Sequence, residues 1–151
     1  MGSATAEITI NRSADEVWST IGDFANPGWL LGAKSWRLED GVRTVTMHDM
    51  DLEMSERLLH HDEADRTFSY AAVGAAGRTR VDLGDGRIFD AKQLVGNHKA
   101  TIAVHAQGEQ ACRVTYEVSL DADEFMIQST KGQYQSALEQ LKSRLENAPA
   151  G

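Results

Sequence analysis

The sequence predicts an α+β fold in which a curved antiparallel β-sheet wraps around one long C-terminal helix. Six segments between Ser35 and Leu120 alternate apolar and polar side chains, as antiparallel strands with one buried face do. After them, apolar side chains recur at helical spacing up to Leu145. A length of 151 residues, with 41% hydrophobic and 25% charged residues, fits one globular domain spanning residues 1–151.

The N-terminal region is predicted to form a short strand followed by short helices. Glu7–Asn11 alternates as a strand. Ser13 and Glu16 then have the spacing of a capping box, and the apolar side chains behind them share one helix face: Val17, Trp18 and Ile21. Gly22 is typical of a helix end. A second short helix is expected to begin at Pro27.

The middle of the chain is predicted to be a run of strands. The segments are Ser35–Asp40, Arg43–His48, Leu52–His61, Arg66–Val73, His98–Ala106 and Cys112–Leu120. Pairing His48 with Asp51 would place Val45 opposite Met54 and collect the apolar side chains on one face. The alternative register would mix Met54 with threonines, so we favour the first.

The favoured register also places Arg43 opposite Glu56 on the inward face. Six polar side chains interrupt that otherwise apolar surface: Arg43, Glu56, His60, Tyr70, His98 and Tyr116. A few polar groups in an apolar wall are typical of a small-molecule site.

A glycine-rich insert, Gly74–Gly96, separates the fourth and fifth of these strands. Within it, Gly84-Asp85-Gly86 lies between two short apolar segments, which is a hairpin signal. The insert is either a surface hairpin or a lid over a pocket. In the second case Phe89 or Leu94 would contact the ligand.

The C-terminal segment is predicted to be a long helix capped by Asp121 or Asp123. Its apolar stripe consists of Ile127, Tyr134, Leu138, Leu141 and Leu145.

Composition and motifs argue against several functional classes. A net charge of −8 disfavours nucleic acids and anionic membrane surfaces as partners. No apolar run is long enough to span a membrane, so we expect no stable membrane insertion. We also expect a cytoplasmic location and a monomeric or homodimeric state. The single Cys112 forms no internal disulfide, and in phase with its apolar neighbours it is expected to be buried. We find no spacing typical of a metal site, a phosphate loop or a nucleophile elbow.

Three stretches carry a family resemblance: SADEVWSTIGDFANPGWL (13–30), RTVTM (43–47) and SERLLHHDEADRTFSY (55–70). With the amphipathic C-terminal helix, they resemble the START-related (SRPBCC) superfamily, above all its polyketide cyclase/dehydrase-like branch. The resemblance extends from about Thr5 to Leu145. It implies a helix-grip, pollen-allergen-like fold with a cavity between the bent sheet and the long helix. Members bind lipids, sterols, polyketides and other apolar molecules, and some cyclise or dehydrate them.

The resemblance implies that a hydrophobic or aromatic small molecule binds in the cavity, and we expect no cofactor. Phe24, Trp29 and Leu30 would line or close the cavity mouth, or Trp29 would plug the base of the core. If the protein is an enzyme, we expect cyclisation or dehydration. The predicted catalytic residues are Arg43, Glu56, His98 and Tyr134, and the predicted substrate-binding residues are Trp29, Met54, His60, Phe68, Tyr70, Tyr116 and Phe89.

The polar residues among these also have a structural interpretation. Arg43 and Glu56 could form a buried ion pair, the histidines could be structural or solvated, and the tyrosines could belong to the core. The insert is longer than the link expected there, and the family has no universal catalytic motif. A non-catalytic carrier or sensor, or an interaction module with a collapsed cavity, are therefore alternative functions.

Overall fold

A seven-stranded antiparallel sheet packs against one long helix in the computed structural model, which describes residues 2–29, 33–47 and 51–147. The elements are β1 (Gly2–Ile10), α1 (Ala14–Ile21), β2 (Ala33–Glu39), β3 (Val42–Met47), β4 (Leu52–Asp62), β5 (Thr67–Gly77), β6 (Arg80–Asp82), β7 (Ile88–Asp90), a 3-10 turn (Ala91–Leu94), β8 (His98–Ala106), β9 (Cys112–Leu120) and α2 (Glu124–Glu146). The large sheet has the strand order β1-β9-β8-β5-β4-β3-β2, and β6 pairs with β7 separately. The predicted α+β helix-grip architecture is confirmed.

Helix α1 begins where the sequence predicts. The Ser13 hydroxyl accepts a hydrogen bond from the Glu16 amide at 3.1 Å, and the Gly22 amide donates to the Trp18 carbonyl at 2.7 Å. Residues 22–29 form turns. The predicted second short helix would begin at Pro27 and continue into residues 30–32. These residues, Leu30 among them, lie outside the described residues.

The predicted register of β3 and β4 is confirmed. Val45 lies opposite Met54, and Arg43 lies opposite Glu56. The proposed partner of Asp51, His48, lies outside the described residues. Strand β1 is longer than predicted because it pairs with β9 along its whole length from Gly2. Its small N-terminal side chains give no strong strand signal.

The insert forms the predicted hairpin and then returns beneath the sheet. Strand β5 pairs with β8 only over residues 67–70 but continues along β4 to Gly77. Gly77 has a φ of +84°, and a Cβ there would collide with the Asp51 carbonyl oxygen, so this turn requires glycine. The hairpin tip is exposed, whereas Phe89, Ala91 and Leu94 are buried. The insert thus combines a surface hairpin with a buried wall.

Helix α2 is fixed over one edge of the sheet. The Asp123 carboxylate caps it by accepting from the Met126 amide at 2.9 Å. The Gln135 side chain bonds both backbone groups of Glu7, and the Lys142 ammonium donates to the Thr9 carbonyl at 2.8 Å. These contacts tie α2 to the β1 edge. Strands β3 to β5 and the insert instead face a space beside the helix.

Neither helix has an apolar stretch that could cross a lipid bilayer, within the three described ranges.

Candidate functional site

A cavity of about 120 Å³ lies between α2, the inner face of the sheet and the insert. Its sheet wall is mostly apolar and consists of Val45, Met47, Leu52, Met54 and Ala72. The insert adds a second apolar wall through Phe89, Ala91 and Leu94. Helix α2 contributes Thr130, Gln133, Tyr134 and Ala137, while the remaining lining residues are Glu56, Tyr70, His98 and Tyr116.

Three tyrosines and one histidine form a hydrogen-bonded group on the cavity wall, which we call the tyrosine cluster (Tyr70, Tyr116, Tyr134 and His98). The Tyr70 hydroxyl bonds the Tyr116 hydroxyl and lies 3.4 Å from the Tyr134 hydroxyl. His98 Nε2 bonds the Tyr134 hydroxyl at 2.8 Å. The Tyr116 and Tyr134 rings stack with centroids 3.8 Å apart. These contacts hold hydroxyl oxygens at one side of an otherwise apolar space.

The tyrosine cluster is uncharged at neutral pH. Burial raises the pKa of all three phenols above the ordinary value. Burial also lowers the pKa of His98, which is 5% exposed, to about 4. The cluster therefore offers neutral donors and acceptors to whatever enters the cavity.

Arg43 and Glu56 form an ion pair at the cavity wall. Arg43 is 2% exposed, and its Nε donates to Glu56 Oε1 at 2.8 Å. Its Nη1 donates to the Phe24 carbonyl at 3.0 Å, and its guanidinium lies over the Phe24 and Tyr70 rings. Burial is the largest single effect and opposes the charge on Arg43, but the Glu56 carboxylate together with the Tyr70 and Tyr116 hydroxyls outweighs it, so the pKa of Arg43 is raised. Glu56 lines the cavity, whereas Arg43 lies behind it and holds it in place.

The structure brings seven of the eleven predicted site residues to the cavity: Met54, Glu56, Tyr70, Phe89, His98, Tyr116 and Tyr134. Arg43 reaches it only through Glu56. Their roles in binding or catalysis stay predictions.

Three predicted binding residues lie elsewhere, and their placement is corrected. His60 is exposed, because the β4–β5 register shifts between Leu58 and His60 and breaks the alternation of faces. Phe68 lies in the core, 6.0 Å from the Phe24 ring, and does not line the cavity. Trp29 is 6% exposed and packs 6.4 Å from the Tyr116 ring, beside the last turns of α2. Trp29 thus fills the core rather than closing a mouth.

The lining residues Thr130, Gln133 and Ala137 were not predicted as part of the site. They lie near Tyr134 at helical spacing, so the same face of α2 carries all four. The signal was present in the sequence as a stripe through Tyr134, but small and polar side chains do not stand out in a search for apolar residues. Among the residues described, no group of three or more histidine, cysteine, aspartate or glutamate side chains is arranged to hold a metal.

Comparison with solved structures shows the same fold in proteins of low sequence identity. The protein XoxI from Bacillus cereus has a TM-score of 0.79 and 23% identity, with 97% of each chain covered. Norcoclaurine synthase from Thalictrum flavum, in complex with dopamine and hydroxybenzaldehyde, has a TM-score of 0.65 and 17% identity over 99% of this chain and 89% of that one. A START superfamily protein from Mycobacterium smegmatis has a TM-score of 0.66 and 12% identity over 95% of this chain and 97% of that one.

At the level of sequence, no curated protein is similar enough to count as a relative. The profile of a family described as polyketide cyclase/dehydrase and lipid transport matches residues 1–146. The predicted resemblance is confirmed: the chain belongs to the polyketide cyclase/dehydrase and lipid transport family, within the START-related superfamily.

Proposed function

We propose that the protein binds a hydrophobic or aromatic small molecule in the cavity between α2, the sheet and the insert. The observation that carries the proposal is the cavity itself, whose apolar walls meet polar groups from the tyrosine cluster and Glu56. Apolar walls favour burial of a ligand's hydrocarbon surface, and a few placed polar groups fix its orientation. A cytoplasmic location and a monomeric or homodimeric state stay predictions.

An interaction module would need a collapsed cavity and a large exposed apolar patch. The space beside α2 argues against that alternative.

Native mass spectra recorded before and after denaturation test the proposal. We expect extra mass on the freshly purified native protein, lost on denaturation. A Met54→Trp variant should lose that mass, because Met54 is half-buried and a tryptophan there would fill the cavity. Leu59→Trp is the matched control on the same strand, since Leu59 is 51% exposed and outside the cavity. Equal mass on both variants would contradict binding in this cavity.

A second candidate function is a cofactor-independent cyclase or dehydratase. It is favoured by the 2.8 Å hydrogen bond between His98 and Tyr134, two residues that line the same cavity as Glu56. In such a reaction Tyr134 donates a hydrogen bond to a substrate carbonyl, and Glu56 takes a proton from the adjacent carbon. The resulting enolate attacks a second carbonyl of the same molecule and forms a carbon–carbon bond. Protonation of the new alkoxide and loss of water complete the dehydration.

Recovery of the bound compound separates the enzyme from a carrier or sensor. The compound detected in the native spectra is added back to ligand-free protein and analysed after incubation. An enzyme returns it changed or forms it from a precursor, and Glu56→Gln abolishes that change. A carrier returns it unchanged, and Glu56→Gln affects only its affinity. If Glu56→Gln and Arg43→Met both leave binding and turnover unchanged, the roles proposed for Glu56 and Arg43 in the cavity are wrong.

A further inference from the structure

The size of the cavity limits the size of the ligand. Its volume is about 120 Å³. An engineered apolar cavity of about 150 Å³ in another protein holds one benzene molecule. The space beside α2 therefore fits one ring or an equally small aliphatic molecule. A fused polycyclic compound or a sterol needs far more room.

The charges around the cavity select against ionised ligands. Among the described lining residues, Glu56 is the one carboxylate, and it is already ion-paired with Arg43. A carboxylate ligand would lie near Glu56 with no cation of its own to pair with, which is costly in a desolvated space. An ammonium ligand would have to compete with Arg43, which is fixed by Glu56, the Phe24 carbonyl and two ring faces.

The number of protons in the tyrosine cluster decides whether it donates a hydrogen bond to a ligand or accepts one. Three hydrogen bonds join its members, and three hydroxyl protons are available for them. When neutral His98 carries its proton on Nε2, four protons serve three bonds, so one O–H is left to donate to a ligand. When the proton is on Nδ1, all three hydroxyl protons are used and only oxygen lone pairs remain to accept. The cluster can thus pair with a carbonyl in one state and a hydroxyl in the other.

We propose that the ligand is a neutral molecule of one-ring size with a single hydroxyl or carbonyl oxygen. That oxygen bonds the tyrosine cluster, and the ring lies against Met54, Phe89 and Leu94. The proposal rests on the proposed binding function and adds the chemical class of the ligand. A ligand with one oxygen cannot be the substrate with two carbonyls that the cyclase needs, so the proposal favours binding without ring closure. It also makes Phe89 and Leu94, both from the insert, the residues that limit ligand length.

Titration calorimetry at pH 7 with a matched panel tests this class. The panel contains phenol and benzaldehyde, with benzoate, benzylamine and toluene as one-ring compounds that differ in charge or lack oxygen. It also contains 2-naphthol, which adds a second ring to phenol. We expect phenol and benzaldehyde to bind at least tenfold more tightly than benzoate, benzylamine and 2-naphthol. Tyr134→Phe should weaken phenol about fivefold and leave toluene unchanged, and Leu94→Ala should admit 2-naphthol.

The wild-type panel decides the proposal even if a variant fails to fold. Binding of 2-naphthol as tight as that of phenol overturns the size limit, and preferred binding of benzoate or benzylamine overturns neutrality. If no panel member binds, the ligand class is wrong. In that case the native mass spectra decide the rest: a larger bound compound preserves the proposed binding function, and a ligand-free protein refutes both.

Discussion

The buried histidine of the tyrosine cluster should make folding stability depend on pH in a defined window. His98 is 5% exposed, its ring centroid lies 5.8 Å from that of Tyr70, and Nε2 bonds the Tyr134 hydroxyl. Burial lowers its pKa from 6.5 to about 4. In the unfolded chain the imidazole takes up a proton near pH 6.5, whereas in the folded protein it stays neutral down to about pH 4. His98 therefore leaves the free energy of unfolding unchanged above pH 6.5 and lowers it as the pH falls from 6.5 towards 4.

The magnitude follows from the two pKa values. Each pH unit inside the window costs about 1.4 kcal/mol. Integrated from pH 7 to pH 5, His98 should remove about 2 kcal/mol from the free energy of unfolding.

Urea denaturation at pH 7, 6 and 5 measures this loss in wild type, His98→Gln and His60→Gln. Carboxylates titrate in all three proteins, so the comparison isolates the histidine. Wild type should lose about 2 kcal/mol more than His98→Gln between pH 7 and pH 5. His60 is exposed, so His60→Gln should follow wild type. Identical pH dependence in wild type and His98→Gln would show that His98 is not held neutral in the cluster.

Three further substitutions probe the ion pair, a turn and the core, each followed by urea denaturation. Arg43→Met leaves Glu56 without its partner and should cost about 3 kcal/mol; a loss below about 1 kcal/mol would mean that water already screens the pair. Gly77→Ala should lower the free energy of unfolding clearly more than Gly41→Ala does. Both glycines have a positive φ, but of the two only Gly77 has a backbone atom in the way of an added Cβ. Equal losses in the two variants would contradict this crowding. Trp29→Ala should lower the free energy of unfolding by about 3–5 kcal/mol yet change the affinity for phenol by no more than about twofold. A larger loss of affinity would show that Trp29 belongs to the binding site.

The fold could be predicted because one face of the sheet is buried. Alternation with period two then fixes the register, and Arg43 opposite Glu56 followed from that pattern alone. The pattern failed at His60, where a bulge changes which face the next residue occupies. A bulge leaves no clear mark in the sequence.

The tyrosine cluster itself could not be predicted in its geometry. Tyr70, Tyr116 and Tyr134 come from two strands and a helix, 46 to 64 residues apart along the chain for the pairs that bond. Periodicity places each of them on an inward face but does not say which inward residues meet. The return of the insert was open for a similar reason, since a glycine-rich segment has no periodic pattern to orient Phe89 and Leu94.

Methionine methyl NMR can show directly whether a small molecule binds between α2, the sheet and the insert. Of the five methionines, Met47 and Met54 line the cavity, while Met126 is buried but does not line it. In ¹³C-methyl-methionine protein titrated with phenol, we predict shifts at Met47 and Met54, with nuclear Overhauser contacts to the ring. The Met126 methyl should stay unchanged as an internal control. Saturable shifts confined to Met126, or no shift at Met47 and Met54 when phenol binds, would contradict the cavity as the binding site.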